Sequence, residues 1–356
     1  MTEQRDGVLP DGALRAMIAG GRITAEPAID PGQVQPASLD LRLGTRAYRV
    51  RASFLAGAGR SVTDRLPEFT MHEMDLTPGA VLEKGCVYVV PLMEGLDLAP
   101  GVTAVANAKS STGRVDCLTR VVTDHGTEFD RIPDGYTGPL YAEICPRSFS
   151  VLVRPGLRLN QIRFRRGLAT LSDAELAARH ADTPLVTGAA VIDEGLGFSV
   201  DLSPGPGGLV GYRAKPHAGV IDLNATGAHD AADFWEEVRS GTGRIILDPG
   251  AFYILVSREA VTIPPDCAAE MAPYLAMVGE FRVHYAGFFD PGFGHGVPAR
   301  GVLEVRCHEA PFVLEDGQVV GRLVYERMAA PPDALYGAGI ASNYQGQGLK
   351  LSKHFR

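Results

Sequence analysis

The sequence predicts a mainly β protein built from two tandem copies of one β-barrel or sandwich domain, with a few short helices. Three observations point there. Apolar or alternating runs of about 4–8 residues recur along the chain, as at 102–106 and 301–306, and read as strands. They are punctuated by 42 glycines and 25 prolines, a turn-rich composition. The 356-residue length suits two domains, and the chain repeats itself.

The repeat is legible by eye. VLEKGCVYVVPLMEGLDLAPG at 81–101 matches ILDPGAFYILVSREAVTIPPD at 246–266, pairing Gly85 with Gly250, Tyr88 with Tyr253 and Pro100 with Pro265 at one offset of 165. SLDL at 38–41 matches SVDL at 199–202, and LVRPGLRLNQIRF at 152–164 matches VLEDGQVVGRLVY at 313–325, both at an offset of 161. Loop insertions account for the slip, and the shared order argues for duplication. The expected organisation is a first domain at 1–170, a linker at 171–190, and a second domain with a C-terminal tail at 191–356. Three helices are expected. One covers 11–19, with Asp11 as its capping residue and Leu14, Met17 and Ile18 on one face. A second covers 172–180, opened by a Ser172–Glu175 capping box. The third covers 230–239, with Phe234 and Trp235 packed on the sheet.

Composition excludes some functions. At 45% hydrophobic and 21% charged the chain has material for a large core, and disorder is disfavoured. A net charge of −8 argues against a nucleic-acid partner, which needs clustered Lys and Arg. No apolar run approaches the ~20 residues of a membrane span, and the N-terminus lacks a hydrophobic signal core, so the expected location is cytoplasmic. Cys86, Cys117, Cys145, Cys267 and Cys307 are widely spaced and never CxxC. They read as reduced thiols rather than disulfides or a zinc site.

A duplicated chain carries its own control. Where the first copy has AKSSTGR at 108–114, the second has PYLAMVG at 273–279. Lys109, Ser110, Ser111 and Arg114, around the Gly113 turn, supply cations, hydroxyls and backbone amides suited to a phosphate chain. The same heptapeptide also reads as a solvated turn, and it is no Walker A loop. Glu143 in PLYAEI and Glu304 in RGVLEV each sit in an apolar strand after a Gly-rich turn. Buried, either carboxyl would have a raised pKa and act as a proton shuttle; facing outward, either is an ordinary solvated residue. Asp134 in IPDGYTG and Asp290 in FFDPGFG occupy equivalent turns, which turn chemistry alone can explain. The zinc deaminase pattern H-x-E…P-C-x-x-C is absent.

These segments together carry a resemblance. LRAMIAGGRI, QPASLDLRLG at 35–44, AKSSTGR, RIPDGYTGPLYAEI at 131–144 and RPGLRLNQIRF at 154–164 follow one another as in the dCTP deaminase branch of the dUTPase-like superfamily. The tail NYQGQGLKLSK at 343–353 is similar to the deaminase tail that closes over the triphosphate. The whole chain looks like the long, duplicated bacterial form, so its two domains are expected to be dUTPase-like. The resemblance implies that Lys109, Ser110, Ser111, Gly113 and Arg114 hold the triphosphate, with Ser110 and Arg114 helping to position water. Glu143 would be the general base and then the acid, and Asp134 and Tyr136 would face the sugar and base. Tyr344, Gln345 and Gln347 would come from the tail. It implies Mg²⁺ with the nucleotide, no zinc, and a homotrimer with sites at subunit interfaces. Two departures stand out. Asp134 precedes Tyr136 by two residues where the family spacing is three, which Asp290 keeps from Phe293; and a segment at 115–128, containing His125, separates the phosphate motif from the turn.

The expected reaction is hydrolysis of dCTP to dUTP and ammonia. The alternatives are cleavage of dUTP, alone or after deamination, and a nucleotide-binding protein whose catalysis has decayed. Two arrangements of the second copy remain open: a structural partner, or a donor of Asp290 or Glu304 to a composite site.

Overall fold

The structure is a computed structural model that describes residues 5–272, 281–284, 287–337 and 346–356. In the first copy we label α1 (Asp11–Ala19), β1 (Ser38–Arg42), α2 (Val62–Phe69), β2 (Val87–Asp97), β3 (Val102–Ala108), α3 (Ser110–Gly113), β4 (Cys117–Thr123), β5 (Thr137–Pro146) and β6 (Arg158–Arg166). Then come α4 (Asp173–Asp182) and, in the second copy, β7 (Leu196–Ser199), β8 (Leu209–Ala214), α5 (Ala231–Phe234), β9 (Trp235–Arg239), β10 (Phe252–Val261), β11 (Cys267–Met271), β12 (Phe281–Val283), β13 (Ala299–Cys307) and β14 (Val319–Arg327).

The fold is mainly β, and the duplication is written in its sheets. In the first copy β3, β6 and β1 are neighbours in one sheet and β4, β5 and β2 in another. In the second, β11, β14 and β7 repeat the first order and β12, β13 and β10 the second. All of these pairs are antiparallel. The strands of both copies alternate buried and partly exposed residues, as half-covered sheets require.

The copies pack tightly on each other. Ile221, Leu223, Trp235, Phe252 and Ile254 of the second belong to the hydrophobic cluster of the first. Residues Val151–Val153 and Ile221–Asp222 pair in parallel across the seam. The last residues fold back as well: Phe355 packs edge-on to Trp235 at 5.8 Å between centroids and beside Phe234 at 5.5 Å.

The helices show where local rules held and where pairing overrode them. Ser172 caps α4 through the expected capping box, accepting from Glu175 N at 3.3 Å. The cap of α1 is Pro10; Asp11 lies one residue inside the helix and binds the amides of Gly12 and Asp333. The expected helix at 230–239 lasts only through Phe234. WEEVR then runs as β9, because its alternation and β-formers are claimed by hydrogen bonds to β8. Half of the segment 115–128 is β4, a strand paired along β5. Among the described residues, no helix is long and apolar enough to cross a membrane, and all five cysteines are free thiols.

Candidate active site

The polar heptapeptide follows the end of β3. Lys109 N donates to Leu159 O of β6 at 2.8 Å, and the amides of Thr112 and Gly113 both donate back to Lys109 O. This winds Ser110–Gly113 into a single turn, α3. Gly113 spends its N–H there rather than facing an anion. Lys109 pairs through Nζ with Asp40, the acid of the repeated SLDL motif. Arg114 is 2% exposed.

The second copy closes over this turn. Gly287 N donates to Ala108 O at 2.7 Å. At φ +93°, a Cβ on Gly287 would come within 2.2 Å of Ser110 Oγ, so only glycine permits the approach. The two copies thereby enclose a cavity of about 40 Å³, room for a water but not for a nucleotide, whose walls include Ser110, Arg114, Phe289, Phe293, Glu304 and Gln347. Glu304 stands on β13, 3% exposed, with its Oε1 3.8 Å from Arg114 Nε. Burial pushes its carboxyl up to about 8, and the Arg114 charge offsets only part of that. A carboxyl of this kind exchanges its proton near neutral pH.

The tail completes the enclosure. Arg114 donates to Gln347 Oε1 at 2.9 Å and to Lys350 O at 3.1 Å, and Ser352 Oγ donates to Ser111 O at 2.8 Å. Lys353 lies near Lys109 and Asp40; burial, and then Lys109, hold its ammonium pKa below the ordinary range.

The remaining expected residues fall elsewhere. Glu143 is buried on β5 but is held by Arg120, directly opposite on β4, and by Ser53 Oγ at 2.6 Å. Asp134 is exposed and accepts from Gly101 N at 2.6 Å. Tyr136 is buried and donates to Pro139 O at 2.6 Å, and desolvation raises its phenol pKa. None of the three lines the cavity, where the second copy presents Glu304 and Phe293 instead. Tyr344, Gln345 and the apolar counterpart at 273–279 lie outside the described residues. Asp40 and Lys353 were not singled out from sequence. The recurrence of the SLDL acid in both copies was the available signal for the first; the tail's basic end was the signal for the second.

A wider cleft of about 520 Å³ lies where β3 and the first copy's Glu128 and Arg131 face Glu270 of β11. Its charges are paired among themselves, Arg131 with Glu128 and Arg165 with Glu270, so it has less chemistry to offer.

Comparison with known proteins agrees with this architecture. Residues 5–168 match the family model of the 2′-deoxycytidine 5′-triphosphate deaminase N-terminal domain, and residues 172–355 that of its C-terminal domain. A crystal structure of 2′-deoxycytidine 5′-triphosphate deaminase from Agrobacterium tumefaciens is 57% identical, superposes with a TM-score of 0.88, and covers 91% of this chain and 99% of its own. A dCTP deaminase from Halorubrum lacusprofundi is 31% identical over 184 residues, 50% of this chain and 86% of the relative. A dUMP-forming dCTP deaminase from Clavibacter michiganensis subsp. michiganensis is 35% identical over 125 residues; the match covers 34% of this chain and 60% of the relative's length. With both of its halves matched in order, the chain belongs to the 2′-deoxycytidine 5′-triphosphate deaminase family.

Proposed function

We propose that this protein hydrolyses dCTP to dUTP and ammonia, in the supply of pyrimidine deoxynucleotides, at a site that the two copies of one chain build together. The observation that carries this reading is Glu304 of the second copy facing Ser110 and Arg114 of the first in one cavity. Lys109, Ser110, Ser111 and Arg114 grip the triphosphate, with Gln347, Lys353 and the tail residues Tyr344 and Gln345 closing over it. Charge-assisted bonds of this kind contribute roughly 1.5–3 kcal/mol each. Mg²⁺ would come with the nucleotide and would offset the charge of its phosphate chain.

Glu304, rather than Glu143, then moves the protons. It takes one from a water beside Ser110, and the hydroxide adds to C4 of cytosine. Glu304 returns that proton to N3, accepts the hydroxyl proton of the adduct and passes it to the leaving amine, so ammonia departs and the uracil carbonyl forms. Activation rests on this acid–base group and on oriented hydrogen bonds. Phosphate binding far from the base holds C4 in register, so remote contacts serve the chemistry. The second-copy turn, with Asp290 and Phe293, takes the sugar-facing place first expected of Asp134 and Tyr136. Three chains associate as a homotrimer, each carrying its own site.

The decisive experiment incubates the protein with each deoxynucleoside triphosphate and Mg²⁺ and scores ammonia and pyrophosphate together. Ammonia from dCTP alone, without pyrophosphate, is the expected result. Equimolar pyrophosphate would move the protein to the dUMP-forming reaction named for its Clavibacter relative, and tight dCTP binding with neither product would leave a binding protein.

A further inference from the structure

We propose that Arg163, on β6 of the first copy, is the positioning residue that holds Asp290 of the second copy in place for the sugar of the bound nucleotide. The proposal rests on the functional reading above and adds a residue to it. Arg163 is fully buried. Its Nη2 donates to Asp290 Oδ1 at 3.0 Å and to Phe289 O at 3.4 Å, and its Nη1 donates to Glu326 Oε2 at 3.1 Å and to Ala269 O at 3.0 Å. Its Nε reaches Ala37 O at 3.4 Å, and the guanidinium lies 4.0 Å from the ring centroid of Phe288. Every partner but Ala37 comes from the second copy. A buried guanidinium is costly unless its whole fork is used, and here the fork is spent on the segment that carries Asp290.

The internal repeat shows that this is no general feature of the fold. At the offset of 161, the counterpart of Arg163 is Val324. The counterpart of Asp290 is Asp134, exposed and capping Gly101. At these equivalent positions, therefore, the cation and the buried acid occur together only at the junction of β6 with the second-copy turn, on the side where Ser110 and Glu304 line one cavity. Asp290 directly follows Phe289 and precedes Phe293 by three residues, both in the cavity wall. The charged groups around it are Arg163 on β6, Lys109 beside α3, Asp40 on β1 and, through the shared Arg163, Glu326 on β14. Burial pushes the Asp290 carboxyl above its usual range and Asp40 adds to this; Arg163 first, and then Lys109, pull it back. Arg163 thus fixes the orientation of the carboxyl and favours its ionised form, an acceptor for a hydroxyl donor such as the deoxyribose 3′-OH.

The test measures dCTP deamination by the full chain from about pH 5.5 to 9 for wild type, Arg163→Met, Arg163→Lys, Asp290→Asn and the Arg163→Met/Asp290→Asn pair. The KM for dCTP should rise roughly 10–100-fold in Arg163→Met and in Asp290→Asn, and the pair should be no worse than the worse single variant. Below neutral pH the KM of Arg163→Met should climb at a higher pH than that of wild type, and Asp290→Asn should abolish the climb. A purely structural arginine would leave that pH dependence in place. A wild-type KM in Arg163→Met, or losses that multiply in the pair with no movement of the pH dependence, overturns the proposal. Should Arg163→Met not fold, Arg163→Lys with and without Asp290→Asn decides by the same two readouts. A wild type that releases no ammonia overturns the functional reading instead; equilibrium binding of dCTP to the same variants then decides the role of Arg163, equal affinities counting against it.

Discussion

The two strand glutamates make the sharpest comparison in the molecule. Glu143 and Glu304 stand on equivalent strands, 2% and 3% exposed. Across from Glu143 is Arg120, whose side chain pairs with it, with Ser53 donating a further bond. Across from Glu304 is His284, whose amide donates to the Glu304 carbonyl at 2.8 Å while its ring turns toward Asp116, 3.4 Å away. The nearest described cation is Arg114 at 3.8 Å, brought by the other copy. One fold thus holds the same carboxyl in two settings: pinned by a neighbour on its own sheet, or set in a buried wall beside the polar turn of the other copy. Burial alone does not make a proton shuttle; the partner opposite decides.

The largest expected effect separates the two residues. Glu304→Gln should lower the kcat for ammonia release by about 10³-fold while dCTP still binds. Glu143→Gln should leave kcat within a few-fold of wild type. A reversed outcome returns the chemistry to Glu143 and breaks the composite site.

A second test removes the partner rather than the acid. Arg120→Met leaves Glu143 buried, with Ser53 Oγ as its remaining described side-chain donor. Breaking a fully buried pair costs about 3–5 kcal/mol; with the Arg120 side chain 24% exposed, a loss nearer 2–3 kcal/mol in unfolding free energy is expected. Adding Glu143→Gln should restore part of it, because the stranded charge is gone. Urea unfolding of both variants measures this, and an unchanged midpoint in Arg120→Met would show that the pair contributes little.

Much of this was legible in the sequence, and the boundary has a physical reason. The strands, the duplication and the polar–apolar contrast at 108–114 depend on local pattern, which composition and alternation report. Ser110 and Arg114, which line the cavity, stand out in that contrast. The choice between the glutamates was not, because it depends on strand register and on how one copy lies over the other. Nothing near Glu143 in the sequence marks Arg120 as the residue opposite, and nothing near Glu304 marks a partner 190 residues earlier. Trp235 shows the same limit, since its segment read as helix until β8 claimed its backbone.

A third test sharpens the comparison through pH. Glu304 titrates near 4.5 in the unfolded chain and at about 8 in the fold. Between those values the folded state binds more protons than the unfolded one. The stabilisation of the neutral carboxyl is therefore complete below about pH 4.5 and is lost as pH rises toward 8. The slope is at most about 1.4 kcal/mol per pH unit. Glu304→Gln carries no such proton, so the urea midpoint of wild type should decline relative to this variant from pH 5 to pH 8. Parallel curves for wild type and Glu304→Gln would mean that a partner offsets the cost of burying the Glu304 charge. The two copies would then differ in their loops but not in their acids.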